Sequence, residues 1–177
     1  MEKLIEGNLD YLAADDVYAQ VRHDTSVNGQ RPYAVVVTCS DSRVPPEHIF
    51  SAGLGELFVV RTAGNVVGDY ERGTVEYAVG HLGAKLVLVM GHSHCGAVGA
   101  ALELRSGESH AHAPKSLGAI VSEIAEAIKH EDTEAGAVQA NVRNSIARLR
   151  ESEELREVRI VGAIYDIETG KVKILDT

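Results

Sequence analysis

Four short apolar runs punctuate this chain: "YAVVVT" (33–38), "ELFVVR" (56–61), "KLVLVM" (85–90) and "VRIVGAIYD" (158–166). The first three lack the polar–apolar alternation of a strand with one wet face, so they are predicted to be strands buried on both faces. The fourth is predicted to be a strand as well. Between the second and third lies "GDYERGTVEYAVGHLG", where Val75, Ala78, Val79 and Leu82 share one helical face and Gly83 stands as the stop. Helical patterns follow at about 96–105, 116–130 and 134–150. Strands that alternate with helices pair in parallel through right-handed crossovers. The expected fold is therefore α/β, a mainly parallel β-sheet flanked by helices on both faces. "IETGKVKIL" reads as a hairpin closing through Thr169–Gly170, which adds an antiparallel edge strand at the C-terminus.

Residues 2–22 place Leu4, Ile5, Leu9, Leu12, Val17 and Val21 at helical spacing, so residues 1–25 form an amphipathic N-terminal helical region. With no internal repeat or linker, residues 1–177 read as one domain. The loop "RSGESHAHAPKS" (105–116) is polar and expected to be mobile.

The 177 residues can bury a sizeable core. No apolar run approaches the roughly 18–20 residues needed to cross a membrane, and the acidic start "MEKLIEGNLDYLAADD" does not resemble a secretory signal. A cytoplasmic protein with no membrane partner is expected. The formal charge of −9 argues against nucleic acid, which needs clustered Lys and Arg. In a reducing compartment the two cysteines read as ligands or buried thiols rather than a disulfide.

Those cysteines carry the chemistry. Cys39 follows the first strand, in "AVVVTCSDSRVPPE", and Cys95 follows the third, in "LVLVMGHSHCGAV", three residues after His92. A parallel sheet delivers every strand's C-terminal end to one edge, where ligands bind as crossovers diverge. That edge brings Cys39 within reach of His92 and Cys95. Two sulphurs and an imidazole suit zinc, and three protein ligands leave a position open, as catalytic sites do. On spacing alone, two buried thiols and a loop histidine explain the same residues. Asp41 and Arg43 fall on one side of an extended loop. A guanidinium there keeps the carboxylate ionised and oriented, beside zinc or simply as an ion pair that stabilises the loop.

With "CSDSRVPPEHIF", "GELFVVRTAGNVV", "VEYAVGHLGAKLVLVMGHSHCGAV" and "GAIYDIETGKV", the chain resembles a β-class carbonic anhydrase from about residue 30 to 100 and again near its C-terminus. The resemblance implies one Zn²⁺ per chain on Cys39, His92 and Cys95, and an Asp41–Arg43 dyad. It also implies a closed low-pH state in which Asp41 itself ligates the metal. A closer similarity to the plant-type subgroup implies that Gln30, Phe58 and Tyr77 line the substrate pocket. Phe58 and Tyr77 would reach in from the partner in a homodimer or homotetramer; packing in the core is the competing account of these two rings. The N-terminal region and the segment around "VVGDYERGT" are shorter than in plant-type members.

The implied reaction is zinc-dependent, reversible hydration of carbon dioxide to bicarbonate and a proton. Asp41 orients the zinc-activated nucleophile, and Gln30 with the backbone N–H of Gly96 polarises a substrate oxygen. Two thiolates cancel the charge of Zn²⁺, so water ionises at higher pH than beside three histidines. A COS or CS₂ hydrolase on the same scaffold and a non-catalytic zinc or thiol sensor are the competing readings. His94 is placed at the surface or the pocket rim, with proton shuttling as a hypothesis. His110 and His112 are assigned no more than adventitious metal binding, and His23, His48, His81 and His130 are read as structural or exposed.

Overall fold

The computed structural model describes residues 1–13, 16–107 and 114–176; most of the polar loop, with His110 and His112, lies outside the described residues. The four apolar runs become β1 (Ala34–Cys39), β2 (Leu57–Thr62), β3 (Leu86–His92) and β4 (Arg159–Tyr165). They form one sheet in the order β2-β1-β3-β4-β5. The first four strands are parallel, and β5 (Val172–Ile174) runs antiparallel to β4. The closing hairpin turns where the sequence predicts: Gly170 has φ of +70°, its N–H donates to Asp166 O at 2.9 Å, and Asp166 N donates to Lys171 O at 2.9 Å.

Seven helices accompany this sheet among the described residues: α1 (Glu2–Ala13), α2 (Asp16–Asn28), α3 (Pro46–Ile49), α4 (Asp69–Leu82), α5 (Gly96–Ser106), α6 (Lys115–Ala127) and α7 (Glu134–Arg150). Local chemistry sets their ends. In α4 the Glu71 carboxylate accepts the Gly68 N–H at 2.9 Å, and the helix stops at Gly83 in the left-handed region, φ +74°. In α7 the Thr133 Oγ1 accepts the Gly136 N–H at 3.1 Å, which satisfies an otherwise orphaned donor.

The packing answers the expectation of strands buried on both faces unevenly: β1 is buried throughout, whereas in β2 only Val60 is buried and β3 and β4 keep partly exposed residues. One sheet face sets Val35, Val37, Val87, Val89 and Ile160 against Val75 and Ala78 of α4 and Val142 and Leu149 of α7. On the other face Met90 and Ala163 meet Val44, Ile49 and Phe50 around α3. A separate cluster joins α5, α6 and α7 through Val98, Ala101, Val121, Ile124 and Val138, and it abuts Cys39 and Cys95. The N-terminal region is helical as expected, but no residue of α1 is buried. Its stripe of Leu4, Ile5, Leu9 and Leu12 stays exposed, with Leu4 at 74% and Leu9 at 60%. No described helix is long and apolar enough to cross a membrane.

Candidate metal centre

β2 lies on one side of β1 and β3 on the other, so the crossovers leaving β1 and β3 diverge. Ligands bind at such a switch point, outside the carboxyl ends of the strands. Cys39 ends β1 and His92 ends β3, and Thr38 pairs with Met90 across the two strands. Cys95 closes the tight turn after β3 and caps the start of α5. The three side chains are buried, and Nδ1 or Nε2 of His92 with the two Sγ atoms lie within 4.8 Å of one another. Sequence reasoning placed the ligands just beyond the strands. Both Cys39 and His92 belong to the ladder, paired with Thr62 and Tyr165, and so stand on rigid backbone.

The environment prepares these atoms for a cation. His92 Nδ1 lies 2.8 Å from Ser93 O, an atom that can only accept, so Nδ1 carries the proton. Nε2 is then a bare lone pair, and it is buried with no hydrogen-bond partner among the described residues. A buried acceptor without a donor is rare, and a metal ion satisfies it. The Cys95 thiol, ahead of His92 and the N–H groups of Asp41 and Gly64, draws Cys39 down to about 4 against the opposing effect of burial. Cys95 is pushed up for the complementary reason, as donor to Cys39 and by burial. The two sulphurs thus shift in opposite directions, with Cys39 the more acidic of the pair. Burial lowers His92, but the Cys39 sulphur and the Ser93 carbonyl outweigh it and raise the ring's basicity. An orphaned imidazole nitrogen beside two sulphurs is a donor set that suits zinc.

Asp41 and Arg43 stand at the mouth of this cluster. Arg43 Nε donates to Asp41 Oδ1 at 3.0 Å and Nη2 donates to Oδ2 at 2.7 Å, while the Arg43 backbone N–H donates to Oδ1 at 2.9 Å. The guanidinium, ahead of the opposing effect of burial, holds the Asp41 carboxyl well below the usual carboxylate range. Arg43 Nη2 also donates to His94 O at 3.2 Å, which ties the dyad to the turn between His92 and Cys95. Arg61, absent from the sequence reasoning, clamps the same loop: Nε donates to Cys39 O at 2.9 Å and Nη2 to Asp41 O at 2.6 Å.

The other expected residues divide. Gly96 opens α5 beside Cys95 and is exposed. His94 is exposed, as expected, with φ of +55° and Nδ1 3.6 Å from Glu134 Oε1. Phe58 and Tyr77 do meet, with ring centroids 6.1 Å apart. Phe58 pairs with Val35, four residues before Cys39, which is about 13 Å back along the strand. Gln30 precedes β1 and belongs to the opposite edge of the sheet. Within one chain these three residues and the Cys–His–Cys cluster do not share a site.

Comparison with known proteins gives a consistent picture. The sequence profile of a family described as carbonic anhydrase matches residues 34–172. Carbonic anhydrase 2 of Mycobacterium tuberculosis is 55% identical over 74 residues, a match spanning 42% of this chain and 36% of that protein, about a third of the relative's length. A carbonic anhydrase of Synechococcus elongatus is 32% identical over 194 aligned positions, covering 97% of this chain and 70% of its own. Among solved structures, the Coccomyxa β-carbonic anhydrase superposes with a TM-score of 0.81 at 27% identity, covering 98% of this chain and 85% of that one.

Proposed function

This chain belongs to the β-class carbonic anhydrase family, and from that premise we propose that it catalyses the zinc-dependent, reversible hydration of carbon dioxide to bicarbonate and a proton. One observation carries the reading: a buried Cys39–His92–Cys95 cluster with an unpaired imidazole lone pair opens onto a carboxylate that Arg43 keeps ionised. Cys39 Sγ, His92 Nε2 and Cys95 Sγ would hold the ion. When bound, zinc supplies Lewis acidity, which in a histidine-ligated carbonic anhydrase brings the pKa of water to about 7.

The protein's own groups direct the attack. Asp41 accepts a hydrogen bond from the O–H of the reacting water, on a carboxylate lone pair left free by Arg43, and so turns the oxygen's remaining pair toward the carbon of CO₂. Arg43 keeps that carboxylate ionised and fixes its plane through the paired N–H bonds. Carbon dioxide brings no charge to bind, so the site relies on placement: the Gly96 N–H, at the positive end of α5, faces developing negative charge. One C–O bond forms, one water proton leaves to buffer, and bicarbonate carries the charge away. The two sulphurs neutralise the ion more than imidazoles would, so the alkaline side of the pH–rate profile is the active one.

The assembly belongs to the same proposal. The uncovered stripe of α1 and an apolar groove of about 290 Å³ on the sheet, lined by Ala34, Val36, Phe50, Leu57, Leu88 and Val161, support a homodimer or higher homo-oligomer. A second copy would supply Gln30, Phe58 and Tyr77 to this chain's pocket. The test is stopped-flow CO₂ hydration beside metal analysis on one preparation. One zinc per chain and rates far above buffer support the reading. No stoichiometric zinc, or H₂S release from COS without CO₂ hydration, overturns it.

A further inference from the structure

Behind Cys39 the turn after β2 runs Ala63–Gly64–Asn65, with φ of +67° at Gly64 and +48° at Asn65. Asparagine adopts the left-handed region more readily than most residues, so the path of this turn is set by the groups that hold it rather than by strain. The path aims one group: Gly64 N–H donates to Cys39 Sγ at 3.2 Å, alongside Asp41 N–H at 3.4 Å. The enforcing groups come from α7. Asn141 Nδ2 donates to Gly64 O at 2.7 Å, Ser145 Oγ donates to Asn65 O at 2.9 Å, and Asn65 Nδ2 donates back to Ser145 Oγ at 3.3 Å. Asn141 is 1% exposed, yet its Oδ1 has no partner among the described residues. An apolar side chain of that size would leave no such orphan, so packing alone does not account for an asparagine here. Its bond to the turn does.

We propose that Asn141, supported by Ser145 and Asn65, is a positioning residue for the metal centre: it clamps the 63–65 turn so that the Gly64 N–H is held on the Cys39 sulphur. The inference rests on reading Cys39, His92 and Cys95 as zinc ligands. A thiolate that accepts N–H bonds is less electron-rich, donates less charge to its metal and leaves the ion more acidic. In a site with two sulphur ligands, that correction opposes the loss of acidity the sulphurs cause. At Gly64, with φ of +67°, a side chain would be strained, and a Cβ would stand 2.6 Å from Ile124 Cδ1 and 3.0 Å from Ala97 Cβ.

Asn141→Leu removes the donor and keeps the branched outline with bulkier methyl groups, while Ser145→Ala removes a single hydroxyl. Each is compared with the parent by zinc titration against a competing chelator. The thiolate-to-cobalt charge-transfer band of the Co²⁺-loaded protein is the second readout, and thermal unfolding of the metal-free chains is the fold control. Asn141→Leu is expected to lower zinc affinity by about 10–100-fold, because the turn no longer holds the Cys39 sulphur in place and that loss outweighs the stronger donation of a freed thiolate. It should also move the band to longer wavelength, because a sulphur without its N–H donor loses an electron more easily. Ser145→Ala shifts both in the same sense by less. Unchanged affinity and band in a folded Asn141→Leu overturn the proposal, even if its unfolding temperature falls, because packing alone predicts that pattern. If Asn141→Leu does not fold, Ser145→Ala decides by the same two readouts. A parent that takes up neither zinc nor cobalt defeats the metal reading, and this inference with it; a parent that binds metal no better than its variants defeats the inference only.

Discussion

Asp41 is useful because it cannot easily take up a proton. Arg43 spends both of its outward N–H groups on the carboxylate, so the group stays ionised through the pH range in which CO₂ chemistry runs. Asp41→Asn keeps the size but replaces an anionic acceptor with an amide whose NH₂ faces the Arg43 donors. Turnover is expected to fall by about 10²-fold or more with one zinc retained, read by stopped-flow hydration and metal analysis. An unchanged rate would remove Asp41 from the mechanism. The Cys-x-Asp-x-Arg spacing was legible because a short loop leaves few ways for such residues to face apart. Asn141 was not legible: an asparagine among Val138, Val142 and Ala137 is marked as unusual in a helix's buried face, but no local pattern says which carbonyl it serves.

The elements divide along the same line. Periodicity located β1 to β4 to within a residue or two, and Gly83 and Gly170 fell at the turns they were expected to make, because those signals depend only on neighbours in the chain. The β4–β5 turn adds a pH-sensitive contact: Asp166 Oδ1 accepts the Thr169 N–H at 2.8 Å, and that bond holds the Asp166 carboxyl below its ordinary value. A folded-state pKa below the unfolded one contributes stability above about pH 4, which is lost as pH falls through the folded value. Asp166→Ala should therefore lower the unfolding temperature at pH 7, and the gap from the parent should close as the pH drops below about 4. A gap independent of pH would assign the loss to something other than the charged acceptor. At the head of α7, Thr133→Ala removes the cap on Gly136 N and should cost about 1 kcal/mol in chemical denaturation. A cost near zero would mean that solvent replaces the hydroxyl without penalty.

At the scale of the whole molecule, the uncovered stripe on α1 is the feature a single chain leaves unresolved. Leu9→Glu places a charge in that stripe and should shift sedimentation toward the monomer. It should lower CO₂ hydration at unchanged zinc content if Gln30, Phe58 and Tyr77 act across subunits. Full activity in a monomeric variant would return those three residues to their own chain's packing. The succession of strands and helices, the parallel sheet and the chemical types at its carboxyl edge were legible in the amino-acid order, since each follows from residue periodicity and from side-chain chemistry that travels with the chain. Not legible in the chain were the lack of a donor to His92 Nε2 among the described residues, the grip of Arg61 and Asn141 on backbone carbonyls around Cys39, and the exposed apolar stripe of α1. Those facts depend on distances between residues remote in the chain, which the balance of burial and hydrogen bonding sets only once every element is in place.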